Sequence, residues 1–128
     1  MSFTVAADAY DRFMGRYSVP LGPLLADLAG VTTGQRVLDV GCGPGALTTE
    51  LVRRVGTAAV SAVDPSEPFV EAARERHVGV DVRHEAIDEA VPRSGAFRVL
   101  EVGAGSGTYI RYAAERNSEL TAVGLELQ

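Results

Sequence analysis

Two stretches of this chain are near copies of each other: VLDVGCGPGALT, from Val37 to Thr48, and VLEVGAGSGTYI, from Val99 to Ile110. The offset is 99 − 37 = 62 residues, and it holds without a gap for about thirty residues. Asp39 falls on Glu101, and Gly41, Gly43 and Gly45 fall on Gly103, Gly105 and Gly107. Asp64 falls on Glu126, so a distant acid follows the first glycine by 23 residues in both copies (64 − 41 and 126 − 103). Self-similarity at a fixed period constrains a fold more than any lone motif. A short apolar run that ends in glycines and leads into a helical pattern reads as a buried strand turning sharply into a helix. Each unit is therefore strand, glycine loop, helix, strand, carboxylate.

The rest of the chain fits that alternation. Strands are expected over Arg36–Val40, Ala58–Val63, Val80–Arg83, Phe97–Val102 and Leu120–Leu125. Helices are expected over Ala6–Phe13, Leu21–Ala29, Ala46–Arg54, Glu67–Arg76 (with Ser66 as N-cap) and Thr108–Arg116, and a short helical turn within Ala86–Val91. Pro20 and Pro23 stand where the second of these could start. Strands alternating with helices imply α/β architecture: a parallel sheet with right-handed crossovers and helices on both faces. The expectation is one Rossmann-like domain over residues 1–128, a three-layer sandwich with five strands in the order 3-2-1-4-5. The second unit would supply strands 4 and 5. Both glycine loops would then lie side by side at the carboxyl ends of strands 1 and 4, the switch point where open α/β sheets bind ligands. The competing arrangement is an exchanged homodimer, so either a monomer or such a dimer is expected.

Composition narrows the function classes. A chain of 128 residues with 46% hydrophobic content has material for one real core. Net charge is −5, and the 12 basic residues, all arginine, form no block. That speaks against a nucleic-acid partner. No apolar run approaches the roughly 18 residues of a membrane span, and no secretory pattern opens the chain. The single cysteine, Cys42, has no intrachain partner, which fits a reducing cytoplasm.

The loops suit a nucleotide-like ligand for physical reasons. Glycines let the backbone approach a ligand closely and take positive φ. The helix start beyond presents free N–H groups and a positive dipole end, which favour a carboxylate or phosphate. An acid at the tip of the next strand, Asp64 or Glu126, can accept hydrogen bonds from ribose hydroxyls. Asp39 and Glu101 sit two residues before the first glycine, where a carboxylate attracts a cationic amino group. That suits an aminoacyl sulfonium better than the pyrophosphate of NAD. GCGPGA nevertheless satisfies the looser G-x-G-x-x-A form, so an NAD-type dinucleotide module stands as an alternative. A bare strand-to-helix turn without a ligand is the bland one.

VLDVGCGPGALT with AVDPS after it resembles the class I Rossmann-fold S-adenosylmethionine-dependent methyltransferases. The stretch YDRFMGRYSVPL, Tyr10 to Leu21, resembles the segment that caps the cofactor in small bacterial members. There an aromatic and an arginine lie near the ligand, by position Tyr10 and Arg16 or Tyr17. This resemblance covers about residues 5 to 86. From about Glu89 onward the chain is similar to the first half of a different methyltransferase-like protein. The resemblance implies S-adenosylmethionine or S-adenosylhomocysteine as cofactor, with Asp39, Gly41, Gly43, Gly45, Asp64, Tyr10 and Arg16 around it. Asp88 would reach the adenine amino group. Glu101, Gly103, Gly105, Gly107 and Glu126 form the equivalent second set.

Family members run to seven strands in the order 3-2-1-4-5-7-6. Here SGAFRVLEVG begins like their fourth strand and continues as a second first strand, and strands six and seven are expected to be missing. The chain thus reads as two half-units, 1–90 and 91–128, and a non-enzymatic engineered chimera is a further alternative. Weak or no methyl transfer is expected, with no metal and no assigned catalytic residue. Cys42 reads as a small apolar filler rather than a nucleophile. His77 and His84 read as solvated or turn histidines, and Glu85, Asp88 and Glu89 as a solvated loop face.

Overall fold

The computed structural model describes residue 9 and residues 20–102 and 107–125, apart from the side chains of Asp88, Val102 and Leu125. Tyr10, Arg16, Tyr17, Gly103, Gly105 and Glu126 lie outside the described residues, as does most of the expected Ala6–Phe13 helix.

Helix α1 covers residues 20–28. Then follow β1 (Val37–Val40), α2 (Ala46–Val55), β2 (Val60–Asp64), α3 (Glu67–Arg76), β3 (Asp81–His84), β4 (Phe97–Val102), α4 (Thr108–Arg116) and β5 (Leu120–Leu125). The five strands form one parallel sheet in the order β3-β2-β1-β4-β5. This is the α/β sandwich that the alternation of periods implies.

The strand sequences explain their places. All four residues of β1, VLDV, are buried, as a central parallel strand covered on both faces requires. Its neighbours are β2, with Val40 opposite Val63, and β4, with Val40 opposite Glu101. Three strands differ from the sequence expectation: β1 starts one residue later, at Val37, and β2 and β3 each start later and end one residue later, at Asp64 and His84. After α2, Gly56 breaks the helix at φ 86°, and Thr57–Ala59 form a 3-10 turn. That turn delays β2 to Val60. The Val80 amide is drawn into a turn onto the His77 carbonyl, at 3.1 Å, so β3 begins at Asp81.

Alternation along the strands assigns the two faces. Val37, Val60 and Leu100 pack beneath α1 and α2 against Leu25, Leu47 and Leu51. Ala62 and Val82 continue that face beneath α3, against Val70, Ala73 and Cys42. Leu38, Val40, Val63 and Val99 point the other way, against Tyr109 and Ala113 of α4. The β1-to-β2 crossover moves one way across the sheet and the β4-to-β5 crossover the other. Right-handed connections therefore place α2 and α4 on opposite faces. Leu51 has no exposed surface, and its burial contributes about 2 kcal/mol. Arg54 ties α2 to α1: it reaches the Pro23 carbonyl at 3.0 Å and ion-pairs with Asp27 and Glu50, both at 2.7 Å.

Candidate functional site

The loop between β1 and α2 lies at the carboxyl edge of the sheet, where β1 separates strands that lead to opposite faces. Gly41, Gly43 and Gly45 all have positive φ, at 70°, 56° and 98°. A side chain would strain each of them, so the alternate-glycine spacing follows from the backbone path. A Cβ on Gly41 would meet open space, so the backbone there is bare on one side.

The loop's own amides are largely engaged within the fold. The Gly41 and Cys42 N–H groups donate to the Val63 carbonyl at 2.9 and 3.0 Å. The Gly45 amide donates to the Cys42 carbonyl at 3.1 Å, and the Gly43 amide to Asp64 Oδ2 at 2.9 Å. The first helical bond of α2 runs from Thr49 to the Gly45 carbonyl, at 3.1 Å. Ahead of it, the amides of Ala46, Leu47 and Thr48 emerge from the helix start, and the N-cap, Gly45, has no side chain to cap them. These are the groups a ligand carboxylate would meet.

Asp64 joins the loop to the next unit. Besides the Gly43 bond, its Oδ1 accepts the Ser66 amide at 2.7 Å. Ser66 thus stands at the N-cap of α3 as expected, but its hydroxyl makes no cap bond. Each Asp64 oxygen keeps a further lone pair for an incoming hydroxyl.

Asp39 lies deeper than the sequence suggests. It is 2% exposed, on the α2 face, and its Oδ2 accepts the Thr48 hydroxyl at 2.8 Å. Burial pushes its carboxyl up to about 7; the Thr48 bond opposes this and the nearby Asp64 charge adds to it. Cys42 is buried, and burial, then the Asp39 and Asp64 charges, pushes its thiol far up. A thiol held neutral in this way is a packing group, as its place among Ala62, Val70 and Val82 indicates.

The second loop is described only at its ends. Gly107 takes φ 75° at the start of α4, matching the left-handed cap of Gly45. Glu101 is buried on the α4 face, and burial raises its carboxyl. Among the described residues, its Oε2 and the hydroxyl of buried Tyr109 find no hydrogen-bond partner. Tyr109 is pushed up to about 12 by burial first and the Glu101 charge second.

Two histidines part company. His84, the last residue of β3, is exposed as expected, with Nε2 at 3.0 Å from the Pro65 carbonyl. His77 stands in the turn after α3 as expected, but its ring lies against the glycine loop. It is half-buried, with Nε2 at 3.1 Å from the Gly45 carbonyl and 3.1 Å from Thr49 Oγ1. The signal available was position alone: His77 directly follows a helix whose start is tied to the loop by Asp64. Glu85 is also less solvated than expected, with Oε1 on Arg83 at 3.1 Å and Oε2 buried. A cleft of about 310 Å³ lies elsewhere, lined by Ser61, Asp81 and Phe97 towards the amino ends of their strands. It shares nothing with the glycine loop. Among the described residues no cluster could hold a metal ion, and no helix is long and apolar enough to cross a membrane.

Residues 37–98 match the family described as a methyltransferase domain. The chain is 30% identical over 125 residues to aklanonic acid methyltransferase DauC of Streptomyces sp. strain C5, covering 88% of this chain and 57% of that protein. It is 42% identical over 74 residues to trans-aconitate 2-methyltransferase of Mycobacterium tuberculosis, covering 58% and 27%. The chain thus spans little more than half the length of the first of these relatives and about a quarter of the second. Among solved structures, a methyltransferase of Thiobacillus denitrificans in complex with S-adenosyl-L-homocysteine is similar at a TM-score of 0.59 and 27% identity. That match covers 73% of this chain and 43% of the other. DesVI of Streptomyces venezuelae shares the fold at a TM-score of 0.68 and 19% identity, over 95% and 57%.

The fold is the Rossmann-like one of the class I methyltransferases, and over residues 37–98 the chain is similar to their methyltransferase domain. The relatives favour neither the dinucleotide module nor the engineered chimera.

Proposed function

We propose that this chain binds S-adenosylmethionine or S-adenosylhomocysteine at the β1 glycine loop and serves methyl transfer. The observation that carries the reading is Asp64, a 7%-exposed carboxylate fastened to the loop by the Gly43 amide. In this reading its remaining lone pairs accept the two ribose hydroxyls. The emerging amides of Ala46 to Thr48 take the aminoacyl carboxylate, aided by the dipole of α2. Asp39 supplies negative charge beneath the cofactor's ammonium group. Gly41, Gly43 and Gly45 allow the close approach, and Tyr10, Arg16 and Asp88 complete the enclosure. When bound, the cofactor supplies the electrophilic methyl carbon. The chain supplies orientation, the main lever in such a displacement.

Weak or no methyl transfer by these residues alone belongs to the same reading. The chain is one domain in this reading, with units meeting near residue 90. The matching caps support it, Gly45 at φ 98°, ψ 27° and Gly107 at φ 75°, ψ 22°. Glu101, Gly103, Gly105, Gly107 and Glu126 then form the sheet-closing half, with ligand contacts secondary.

Calorimetry with S-adenosylmethionine, S-adenosylhomocysteine and NAD tests the reading. Heat is expected with the first two. Its absence with both overturns the reading, and binding that survives Asp64→Ala and Gly43→Val unchanged puts the ligand elsewhere.

A further inference from the structure

We propose that the carboxyl end of α3 is a clamp that sets the glycine loop for its ligand, with Arg76 and His77 as positioning residues. The inference rests on the cofactor reading above and deepens it. Two consecutive loop carbonyls turn toward the last residue of α3 and the residue that caps it. Arg76 Nη1 donates to the Pro44 carbonyl at 3.2 Å, and His77 Nε2 lies 3.1 Å from the Gly45 carbonyl. In the Nε2–H tautomer His77 donates to that oxygen, as does the Thr49 hydroxyl at 3.1 Å. The His77 amide closes α3 onto the Ala73 carbonyl at 2.9 Å, which fixes where the ring starts.

Contact is close as well as polar. A Cβ built on Gly45 would fall 2.9 Å from His77 Cδ2 and 3.6 Å from Ala73 Cβ. Position 45 therefore has no side chain for two separate reasons: its φ of 98° and the imidazole lying against it.

The consequence for binding follows from peptide geometry. A peptide unit is planar and trans, so a carbonyl held in one direction points the next N–H the opposite way. Holding the Gly45 carbonyl against His77 fixes the Ala46 amide, the first to emerge from α2. Holding the Pro44 carbonyl fixes the Gly45 amide, which donates to Cys42. Asp64 grips the same loop at Gly43 from the start of the β2–α3 connection. The β2–α3 unit thus holds the loop at both ends, Asp64 before α3 and Arg76–His77 after it. Neither Arg76 nor His77 needs to touch the ligand.

The test compares wild type with His77→Ala, His77→Gln and Arg76→Met, by calorimetry with S-adenosylhomocysteine and by thermal melting without ligand. Loss of one such hydrogen bond predicts an affinity loss of about fivefold to tenfold in H77A. H77Q, which restores a side-chain N–H donor, is expected to recover most of it, and R76M to lose about threefold. The ligand-free melting temperatures of H77Q and R76M are expected near wild type. The clamp is overturned if H77A binds within twofold of wild type. It is equally overturned if the affinity of the variants tracks their melting temperatures with no recovery in H77Q. Should H77A fail to fold, R76M and H77Q decide the matter by the same criteria. Absence of binding by wild type overturns the cofactor reading instead, and with it the clamp.

Discussion

Replacing Asp39 with asparagine should change how the stability of this domain depends on pH. Asp39 is 2% exposed and titrates near 7 when folded, against 3.8 for the free side chain. A buried acid with a raised pKa binds more protons folded than unfolded. Stability therefore falls as pH rises between the two values, and the contribution present at low pH is lost above the folded pKa. Over the whole interval from 3.8 to about 7, the loss amounts to about 4 kcal/mol. About 2.5 kcal/mol of it falls between pH 5 and pH 8. D39N keeps an oxygen to accept the Thr48 hydroxyl, now at 2.8 Å from Asp39, and removes the titration. Urea unfolding followed by circular dichroism at both pH values gives the two stabilities of each protein. The D39N-minus-wild-type difference should shift in favour of the mutant by about 2.5 kcal/mol from pH 5 to pH 8. A difference that stays constant refutes the account, because Asp39 would then be ionised throughout. A shift of opposite sign would mean that the carboxylate is stabilised by a partner the fold supplies.

Three further outcomes follow from the same site. Gly45→Ala should lower stability by about 1–3 kcal/mol, measured in the same urea experiment, because the new Cβ meets His77 at 2.9 Å on a backbone at φ 98°. Asp64→Asn preserves shape but weakens the acceptor, and calorimetry with S-adenosylhomocysteine should show affinity reduced about tenfold or more. Cys42 should resist a thiol-exchange reagent in the folded protein and react promptly in denaturant, because burial holds its thiol neutral.

Much of this architecture was legible in the sequence, and the parts that were not share a cause. Glu67–Arg76, Phe97–Val102, Thr108–Arg116 and Leu120–Leu125 fall where residue pattern places them, because each is bounded by its own cap or turn residues. The starts of β2 and β3 shifted because glycine and histidine turns consumed residues that look like strand. Within the site, the spacing of Gly41, Gly43 and Gly45 was readable because positive φ demands glycine locally. His77 was not, since its partner Gly45 is 32 residues away and the contact depends on the length and tilt of α3. Nor was the seat of Asp39, whose burial and Thr48 bond belong to the packing of α2 on β1.

The opposite placement of α2 and α4 separates the two stretches that are alike in sequence. Val37 lies on the α2 face, and its counterpart Val99 lies on the α4 face. Asp39 and Glu101, each two residues further on, inherit those opposite orientations. Two stretches alike in sequence therefore turn matching residues to opposite faces of one sheet and are not equivalent seats. A residue carried from one stretch to its matching position in the other would exchange the α2 layer for the α4 layer as its neighbour.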